Sequence, residues 1–309
     1  MRSGRGPDKP PERPVRCPDV GYGAVVQWGR TGLDDQQAAF VRAVLPGAEV
    51  VGDDSWGLLD TIVLHVVAEG RAYTVKACGP DNTHFPRELE AHRHWTGPLL
   101  ATGDTNALVA VDQEHRVLVV TRVPGHLALD TPDATDPDVH RQAGVLLRRL
   151  HDQGTRHDPD HRVREHAKAV AALDAPHRIA PGTVDRVRAV LGERPGGGVV
   201  EPLVPTHGDW HPRNWVVDDG HLRAIDFGRF AWRPATADLT RLAVHHWQHD
   251  PVLEAAFLAG YGRDPRDPEQ WRLLQLREAV GTAVWAHAVG DEDFEAQGHD
   301  MLRDALAAF

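Results

Sequence analysis

The first third of the chain is dominated by short apolar runs typical of β-strands, with helical spacing in two places. The predicted elements are a helix at 34–45, strands at 62–67, 72–78 and 116–121, and a second helix at 86–95. The two adjacent strands are rich in β-branched residues, and Glu69-Gly70 between them predicts a hairpin turn. The pattern therefore indicates a β-rich N-terminal region with an inserted helix.

Beyond Pro124 the apolar residues recur mostly at helical spacing. Helices are predicted at 140–151, 161–173, 183–191, 238–248, 252–258, 268–287 and 299–309. Three glycines at 196–198 predict a loop, and the apolar pieces between 199 and 225 resemble short strands. The Pro-rich residues 1–16 show no apolar periodicity and predict a disordered tail. The chain is accordingly divided into this tail, an N-lobe at 17–123 and a C-lobe at 124–309.

Composition narrows the class of protein. No apolar run approaches the ~18 residues of a membrane span, and the N-terminus lacks the apolar core of a signal peptide, so a cytoplasmic protein is expected. Lys and Arg number 34 against 45 Asp and Glu, a formal net charge of -11, which argues against nucleic acid as a partner. The two cysteines, Cys17 and Cys78, are interpreted as free thiols.

The segment 206–228, THGDWHPRNWVVDDGHLRAIDFG, carries the most informative polar residues of the chain. Asp209 is followed five residues later by Asn214 and, twelve residues after that, by Asp226. The turn residues 218–220 between two short apolar runs predict a hairpin that returns Asp226 toward the other two. Such converging oxygen ligands suit Mg²⁺, which would leave one carboxylate for an acceptor hydroxyl.

This arrangement resembles the protein-kinase-like superfamily. The His-Gly-Asp sequence at His207–Asp209 resembles the aminoglycoside phosphotransferase family rather than the protein kinases, which carry Arg in the middle. The resemblance covers the chain from about Gly47 onward. It implies an α+β, two-lobed protein-kinase-like fold with a β-rich N-lobe and a mostly helical C-lobe. It also implies that Asp209 orients the hydroxyl and accepts its proton, that Asn214 and Asp226 hold Mg²⁺, and that His207 braces the loop.

A lysine in the N-terminal region gives an independent indication. The chain has 3 lysines, and Lys76 is the one that interrupts an apolar strand, where a charged group needs a partner. The resemblance implies that it pairs with the α- and β-phosphates of ATP and with a glutamate of the following helix. Glu88 is preferred over Glu90 because Arg87-Glu88, followed by Trp95 at the end of the helix, resembles the R-E…W pattern of the family. A lysine that merely extends from an edge strand into water is the alternative.

Further nucleotide contacts follow from the resemblance. The loop 52–57 has fewer glycines than a protein-kinase phosphate loop, so Ser55 is either a phosphate contact or part of a plain turn. Backbone groups at Thr121 and Val123 would receive an adenine edge, which leaves GTP open beside ATP. His211 stands where protein kinases have a phosphate-contacting lysine, and it either takes that role or makes a simple loop contact. Asp238 matches an aspartate that supports the catalytic loop.

An acidic run near the C-terminus suggests an acceptor site. Its carboxylates are Asp291, Glu292, Asp293 and Glu295. They would attract a cationic small-molecule acceptor, or they form the solvated start of a helix, where acidic residues favour the helix dipole. The 20 histidines do not show the spacing of a zinc site.

Together these features predict an ATP-dependent phosphotransferase that modifies a hydroxyl group of a small molecule. An antibiotic or related natural product is the favoured acceptor, which would make the protein a resistance enzyme. A metabolic kinase for choline, homoserine, fructosamine or a sugar is the alternative within the superfamily. A non-catalytic nucleotide-binding pseudokinase is the alternative of another class, although it would be expected to lack one of Lys76, Asp209, Asn214 or Asp226. The oligomeric state is not predicted.

Overall fold

The computed structural model describes residues 27–55, 60–193 and 200–309. These residues form two compact units: the chain up to Asn82 with Ala107–Pro124, and Thr83–Asn106 with Gly125–Phe309. The predicted tail at 1–16, Cys17, the Gly57 end of the predicted phosphate loop and the glycines at 196–198 lie outside the described residues. In the described ranges, no helix combines the length and the apolar content that a bilayer span requires.

The first unit is built on a five-stranded antiparallel sheet in the order β1-β2-β3-β5-β4. Its strands are β1 Glu49–Asp53, β2 Thr61–Ala68, β3 Arg71–Cys78, β4 Leu108–Asp112 and β5 Val117–Thr121. The predicted hairpin is confirmed as β2 and β3, joined at Glu69-Gly70, where both residues adopt positive φ. β1 and β4 were not predicted, because a bulge interrupts the pairing of each.

One helix accompanies this sheet, as predicted. α1, Asp35–Val44, begins at Asp34, whose carboxylate accepts from the Gln37 N–H at 2.8 Å, while the Gln37 side chain accepts from the Asp34 N–H at 3.2 Å. This reciprocal capping satisfies two N–H groups at the start of the helix. Val41 of α1 packs into the same core as Leu64 and Val75. On β3, Val75 and Ala77 are fully buried and Lys76 between them is only partly buried, so the lysine lies on the other face.

The second unit is mostly helical. Its helices are α2 His84–His94, α3 Gly97–Leu100, α4 Pro137–His151, α5 His161–Ala172, α6 Pro181–Glu193, α7 Thr240–Leu242, α8 Pro251–Tyr261, α9 Pro268–Val289 and α10 Glu292–Leu306. α4 and α8 cross so closely at Gly260 that a Cβ on this residue would lie 1.9 Å from the Arg141 carbonyl oxygen. A Cβ on Gly144 would similarly lie 2.2 Å from the Phe257 carbonyl oxygen.

Two small antiparallel sheets complete the second unit, in the orders β10-β9-β6 and β11-β8-β7. Their strands are β6 His126–Leu127, β7 Arg156–His157, β8 Pro202–Thr206, β9 Trp215–Asp218, β10 His221–Ala224 and β11 Ala231–Pro234. Trp210, Trp215 and Phe227 are almost completely buried and share one apolar core with Leu147 of α4. The segment that was predicted to carry the chemistry is therefore built into the core of this unit.

Residues 83–106 are grouped with the second unit, whereas the predicted N-lobe at 17–123 includes them. The reason is apolar packing: Ala91 and Leu99 are buried in the core that holds Phe227, and the Trp95 ring stacks on Phe230 at 6.3 Å. The functional assignment of the two lobes remains a prediction.

Two helical predictions need correction. The helix predicted at 238–248 is a 3₁₀ segment at Ala235–Leu239, the short α7 and a π-helical turn at Ala243–Trp247. Likewise, the last helix does not begin at His299. It begins within the acidic run, because the Asp291 carboxylate caps it by accepting from the Phe294 N–H at 3.0 Å.

Candidate active site

A tight hairpin brings the predicted metal ligands together along the chain. β9 and β10 pair with Trp215 opposite Ala224, and Asp219 and Gly220 turn the chain with positive φ. The next residue, Ile225, donates its N–H to the Asn214 carbonyl oxygen at 3.0 Å. The predicted hairpin is thus confirmed, and it returns the backbone before Asp226 to Asn214.

His207 connects the His-Gly-Asp loop, His207–Asp209, to the segment that precedes Asp226. This loop is the predicted catalytic loop. The ring is completely buried, between Trp210 at 5.2 Å and Phe227 at 4.8 Å. Since a carbonyl oxygen can only accept, Nε2 donates to Ile225 at 3.0 Å, and Nδ1 accepts the Asp209 N–H at 3.3 Å. This geometry agrees with the bracing role that the resemblance implies for His207.

Asp238 holds the backbone of the His-Gly-Asp loop from behind. Its carboxylate accepts from the N–H groups of His207 at 2.8 Å and Gly208 at 2.5 Å, and from His151 Nε2 at 3.0 Å. His151 Nδ1 in turn contacts the Tyr261 hydroxyl at 2.8 Å. Burial alone would raise the pKa of Asp238, but the imidazoles of His151 and His207 and the Gly208 N–H outweigh it and lower the pKa. Asp238 therefore supports the loop as an ionised carboxylate.

Gly208 lets the loop turn at this point. It has φ +83°, a conformation that side chains disfavour, and a Cβ there would lie 2.2 Å from the Arg229 carbonyl oxygen. The loop therefore approaches the Arg229 backbone more closely than any other residue type would allow.

Replacing Asp238 by Asn is expected to lower the free energy of unfolding by about 2–4 kcal/mol and to lower kcat. An amide cannot accept from both backbone N–H groups and from His151 without facing one of them with its own NH₂. Urea unfolding and kcat check this. Asp133→Asn is the matched control, because Asp133 pairs with an exposed His126 at 2.8 Å and should change stability by less than about 1 kcal/mol. Equal stability losses in the two variants would contradict the supporting role.

The Asp209 carboxylate is surrounded by cationic side chains. Its residue is only 4% exposed. Arg213 Nη2 donates to Oδ2 at 3.0 Å, Arg241 Nε lies 3.0 Å from Oδ1, and Arg229 Nε lies 4.0 Å from Oδ2. Asn214 Nδ2 also donates to Oδ2 at 3.1 Å. The predicted catalytic carboxylate is therefore buried in a cluster of three arginines.

These neighbours determine the charge of Asp209. Burial alone would raise its pKa, but the adjacent His211 and the guanidinium groups of Arg241 and Arg229 lower it far below the usual range. His211 Nε2 lies 3.5 Å from Oδ1, and burial lowers the pKa of His211 despite the nearby carboxylate. Asp209 is therefore ionised and His211 neutral near pH 7. A neutral imidazole lacks the charge of the lysine that protein kinases carry at this place.

The residues predicted to hold Mg²⁺ have suitable chemistry. Asn214 Nδ2 donates to the Asp209 carbonyl oxygen at 2.7 Å as well as to its carboxylate, which leaves the amide oxygen as the atom suited to a cation. Asp226 has φ +65°, a strained conformation for a residue other than glycine and typical of functional sites. Within the described residues no cluster of three or more His, Cys, Asp or Glu side chains could hold a metal by itself. One amide, one carboxylate and substrate phosphates fit Mg²⁺ without such a cluster.

Of the predicted nucleotide contacts of the first unit, Lys76 and Thr121 lie on strands, whereas Ser55 and Val123 follow the ends of β1 and β5. Lys76 is paired in register with Val63, and the Ser55 hydroxyl accepts from the Val63 N–H at 2.9 Å. Lys76 and Ser55 are thus both next to the same residue of β2. Thr121 N–H donates to the Ala107 carbonyl oxygen at 2.9 Å, so this N–H serves the sheet. Adenine contacts by the remaining backbone groups of Thr121 and Val123 remain a prediction.

The two glutamates considered as partners of Lys76 differ in environment. Glu88 on α2 is only 5% exposed and lies 3.9 Å from His92 Nε2. Glu90 has an exposed side chain, lies 3.8 Å from His94 Nε2 and accepts from Trp95 Nε1 at 3.3 Å. A buried carboxylate needs a charged partner more than an exposed one does. The structure therefore gives no reason to prefer Glu90, and the Lys76–Glu88 pair remains a prediction.

The acidic run lies at the start of α10. Glu295 is buried against His287 at 3.1 Å, Arg178 at 3.4 Å and His299 at 3.8 Å. Asp291 caps the helix, and Asp293 and Glu292 are exposed. Among the described residues, no hydrogen bond or ion pair joins these four carboxylates to the catalytic loop. The contacts favour the helix-start interpretation, and the acceptor role remains a prediction.

The arginines around Asp209 are functional candidates that the sequence analysis missed. Arg213 and Arg229 lie within or beside the motif, so their proximity to it was a usable signal. Arg241 lies on α7, and only the tertiary fold brings its side chain to Asp209.

The fold and the site together define a protein-kinase-like phosphotransferase. A similar solved structure is choline kinase LicA from Streptococcus pneumoniae, at 17% identity and a TM-score of 0.64 over 88% of this chain and 97% of that one. A thermostable mutant of aminoglycoside phosphotransferase APH(4)-Ia, in a complex with AMP-PNP and hygromycin B, is 13% identical with a TM-score of 0.65 over 83% and 93%. Macrolide 2′-phosphotransferase MphH from Brachybacterium faecium is 19% identical, with a TM-score of 0.57 over 87% and 98%.

The family itself follows from the sequence comparison. The model of the phosphotransferase enzyme family (APH) matches residues 59–274, and the chain belongs to this family. No curated protein sequence matches the chain. The family resemblance, the α+β protein-kinase-like fold and the prediction of a phosphotransferase enzyme are thereby confirmed.

Proposed function

We propose that this protein transfers the γ-phosphoryl group of ATP to a hydroxyl group of a small molecule. The observation that carries the proposal is the buried, ionised Asp209 carboxylate, held by Asn214 and three arginines on a loop that His207 and Asp238 brace. A rigid carboxylate with these partners suits phosphoryl transfer, in which catalysis is mostly positioning and charge stabilisation.

Asp209 acts on the acceptor. Its carboxylate accepts a hydrogen bond from the acceptor hydroxyl and orients the oxygen toward the γ-phosphorus. The new O–P bond forms as the bond from the γ-phosphorus to the bridging oxygen breaks, and the hydroxyl proton passes to Asp209. Because its low pKa makes Asp209 a weak base, orientation is its main contribution and the proton moves late.

The arginines act on charge. Arg213 and Arg241 each lie 3.0 Å from Asp209, and Arg229 lies 4.0 Å from it. They keep the carboxylate ionised, and they can stabilise negative charge on the phosphoryl group during transfer. Asn214 and Asp226 would hold Mg²⁺, which neutralises phosphate charge when it is bound.

The first unit supplies the residues proposed for the nucleotide. Lys76 would contact the α- and β-phosphates, with Glu88 as its partner, and Ser55 would contact phosphate. Backbone groups at Thr121 and Val123 would contact the base, so their side chains do not select ATP over GTP. Support comes from Lys76, the partly buried lysine of an apolar strand, and from a similar structure that holds AMP-PNP.

An antibiotic or related natural product is the proposed acceptor class. Similar structures are complexes with hygromycin B and gentamicin, and one is a macrolide phosphotransferase. A metabolic kinase is the second candidate, since a choline kinase is equally similar in fold. A pseudokinase is disfavoured because Lys76, Asp209, Asn214 and Asp226 are all present.

The test is acceptor-dependent ADP release, with the phosphorylated product identified by mass spectrometry. The acceptors are hygromycin B, gentamicin, a macrolide, choline, homoserine, glucose and a small-molecule cell extract. At least one should release ADP above the rate without acceptor, and Asp209→Asn should remove that increment. Nucleotide binding without acceptor-dependent ADP release, even with the extract, would instead identify a pseudokinase.

A further inference from the structure

The second unit contains a cavity of about 230 Å³ between α5, α9 and the segment that follows β11. Half of its lining residues are charged or titratable: His161, Glu165, Lys168, Arg233, Arg277 and Glu278. This cavity belongs entirely to the unit that carries Asp209. Its chemistry therefore bears on what the proposed enzyme binds beside its reactive carboxylate.

The cavity adjoins the catalytic loop. Arg233, which lines it, donates from Nη1 to the Arg229 carbonyl oxygen at 3.0 Å. The same Nη1 atom would lie 2.3 Å from a Cβ built on Gly208, the residue before Asp209. A molecule in the cavity would therefore be separated from the loop by little more than one side chain.

Arg277 is the cation of this cavity that forms no salt bridge with the described residues, although the charges of three carboxylates, Glu165, Glu201 and Glu278, attract it. Lys168 is paired with Glu165 at 2.5 Å, but Arg277 has no hydrogen bond or ion pair with any of the described residues. Its Nη1 atom is buried without a hydrogen-bond partner. A guanidinium stays protonated, so a buried Nη1 group without an acceptor carries a desolvation cost. A bound anion would remove that cost by supplying two parallel acceptors.

The remaining charges around the cavity give it positive character. Glu278 is its one carboxylate without a salt bridge among the described residues, and it lines the cavity together with Arg233 and Arg277. Toward the loop, Arg213, Arg229 and Arg241 surround the single carboxylate of Asp209. Among the residues that line the cavity and those that surround Asp209, cationic side chains thus outnumber carboxylates, although the chain has a net charge of -11.

We propose that the acceptor carries an anionic group, a carboxylate or a phosphate, which Arg277 binds in this cavity beside the catalytic loop. This inference rests on the proposed function, and it replaces the cationic acceptor suggested by the acidic run. Within the proposed acceptor class, the inference favours members with an acidic group over polycationic members such as gentamicin, because the guanidinium groups around Asp209 repel positive charge.

The test compares ligands that share a ring and differ in charge. Glucuronate, glucose and glucosamine are titrated into the intact protein at low ionic strength without nucleotide, and their Kd values are measured by NMR. Glucose 6-phosphate is added to separate phosphate from carboxylate recognition. Arg277→Gln removes the proposed anchor. Glu278→Gln is the matched control, since it introduces the same amide at the next residue of the same cavity but removes a negative charge instead of a positive one.

We expect at least one of the two anions to bind about tenfold or more tightly than glucosamine, because one charge-assisted bidentate pair distinguishes them. Arg277→Gln should abolish this preference, and Glu278→Gln should retain or increase it. Glucosamine binding as tightly as both anions, no measurable anion binding, or an anion preference that persists in Arg277→Gln would overturn the proposal. Because no phosphoryl transfer is involved, these results do not depend on whether the protein proves to be a kinase.

Discussion

Replacing Asp209 by Asn is expected to lower kcat by about 10²–10⁴-fold and to leave the affinity for Mg·ATP nearly unchanged. The amide keeps the size of the side chain, but it can no longer accept the hydroxyl proton. Steady-state kinetics with the best acceptor and nucleotide titration measure the two quantities. A variant that retains more than about a tenth of the wild-type kcat would remove Asp209 from its proposed role.

The low pKa of Asp209 adds a pH signature to this result. A carboxylate that titrates far below its usual range stays ionised throughout the neutral range, so kcat should show no acid limb from Asp209 above about pH 5. Arg241→Gln removes a guanidinium 3.0 Å from Oδ1 and therefore raises the pKa of Asp209. In that variant an acid limb from Asp209 should appear at a higher pH than in the wild type. An unchanged profile would show that Arg241 does not set the protonation state of the carboxylate.

Replacing Asp226 by Ala is expected to weaken Mg·ATP binding by about 10–100-fold. The reason is the loss of a negatively charged oxygen ligand. With EDTA present, calorimetry should give nucleotide affinities for the variant and the wild type that differ much less.

The backbone at Asp226 requires a matched control for this experiment. Its φ of +65° is tolerated better by Asn than by Ala, so Asp226→Asn keeps the local conformation and removes only the charge. We expect Asp226→Asn to weaken Mg·ATP binding as well, with little change in thermal stability. Equal losses of affinity with and without metal would show instead that Asp226 shapes the loop.

The parts of the site that the sequence predicted are those encoded by local chemistry. A single predicted hairpin was enough to infer that the chain returns from Asp226 to Asn214, close to Asp209. The strand position of Lys76 likewise followed from the apolar residues on either side of it. Local patterns of this kind predict the structure because all of the residues involved belong to one short supersecondary unit.

The parts that could not be predicted depend on partners distant in sequence. Arg241 reaches Asp209 only through the tertiary fold, and nothing around it in sequence marks it. The sequence likewise does not show that Glu295 of the acidic run is buried against His287 and Arg178. Helices α2 and α3 belong to the second unit because Ala91 on α2 and Leu99 on α3 are buried in its core, a preference that no helical pattern reveals.

Through the Asp238 carboxylate, the position of the His-Gly-Asp loop depends on helices that contain none of the motif residues. His151 ends α4 and Tyr261 ends α8, and the close crossing of these helices sets where both side chains stand. Mild substitutions in that crossing are expected to lower kcat before they lower the free energy of unfolding enough to unfold the protein. A protein under selection for a new acceptor could therefore adjust its rate through core residues far from the reaction. The tolerance of α4 and α8 to mutation therefore limits how far the catalytic rate of this protein can change.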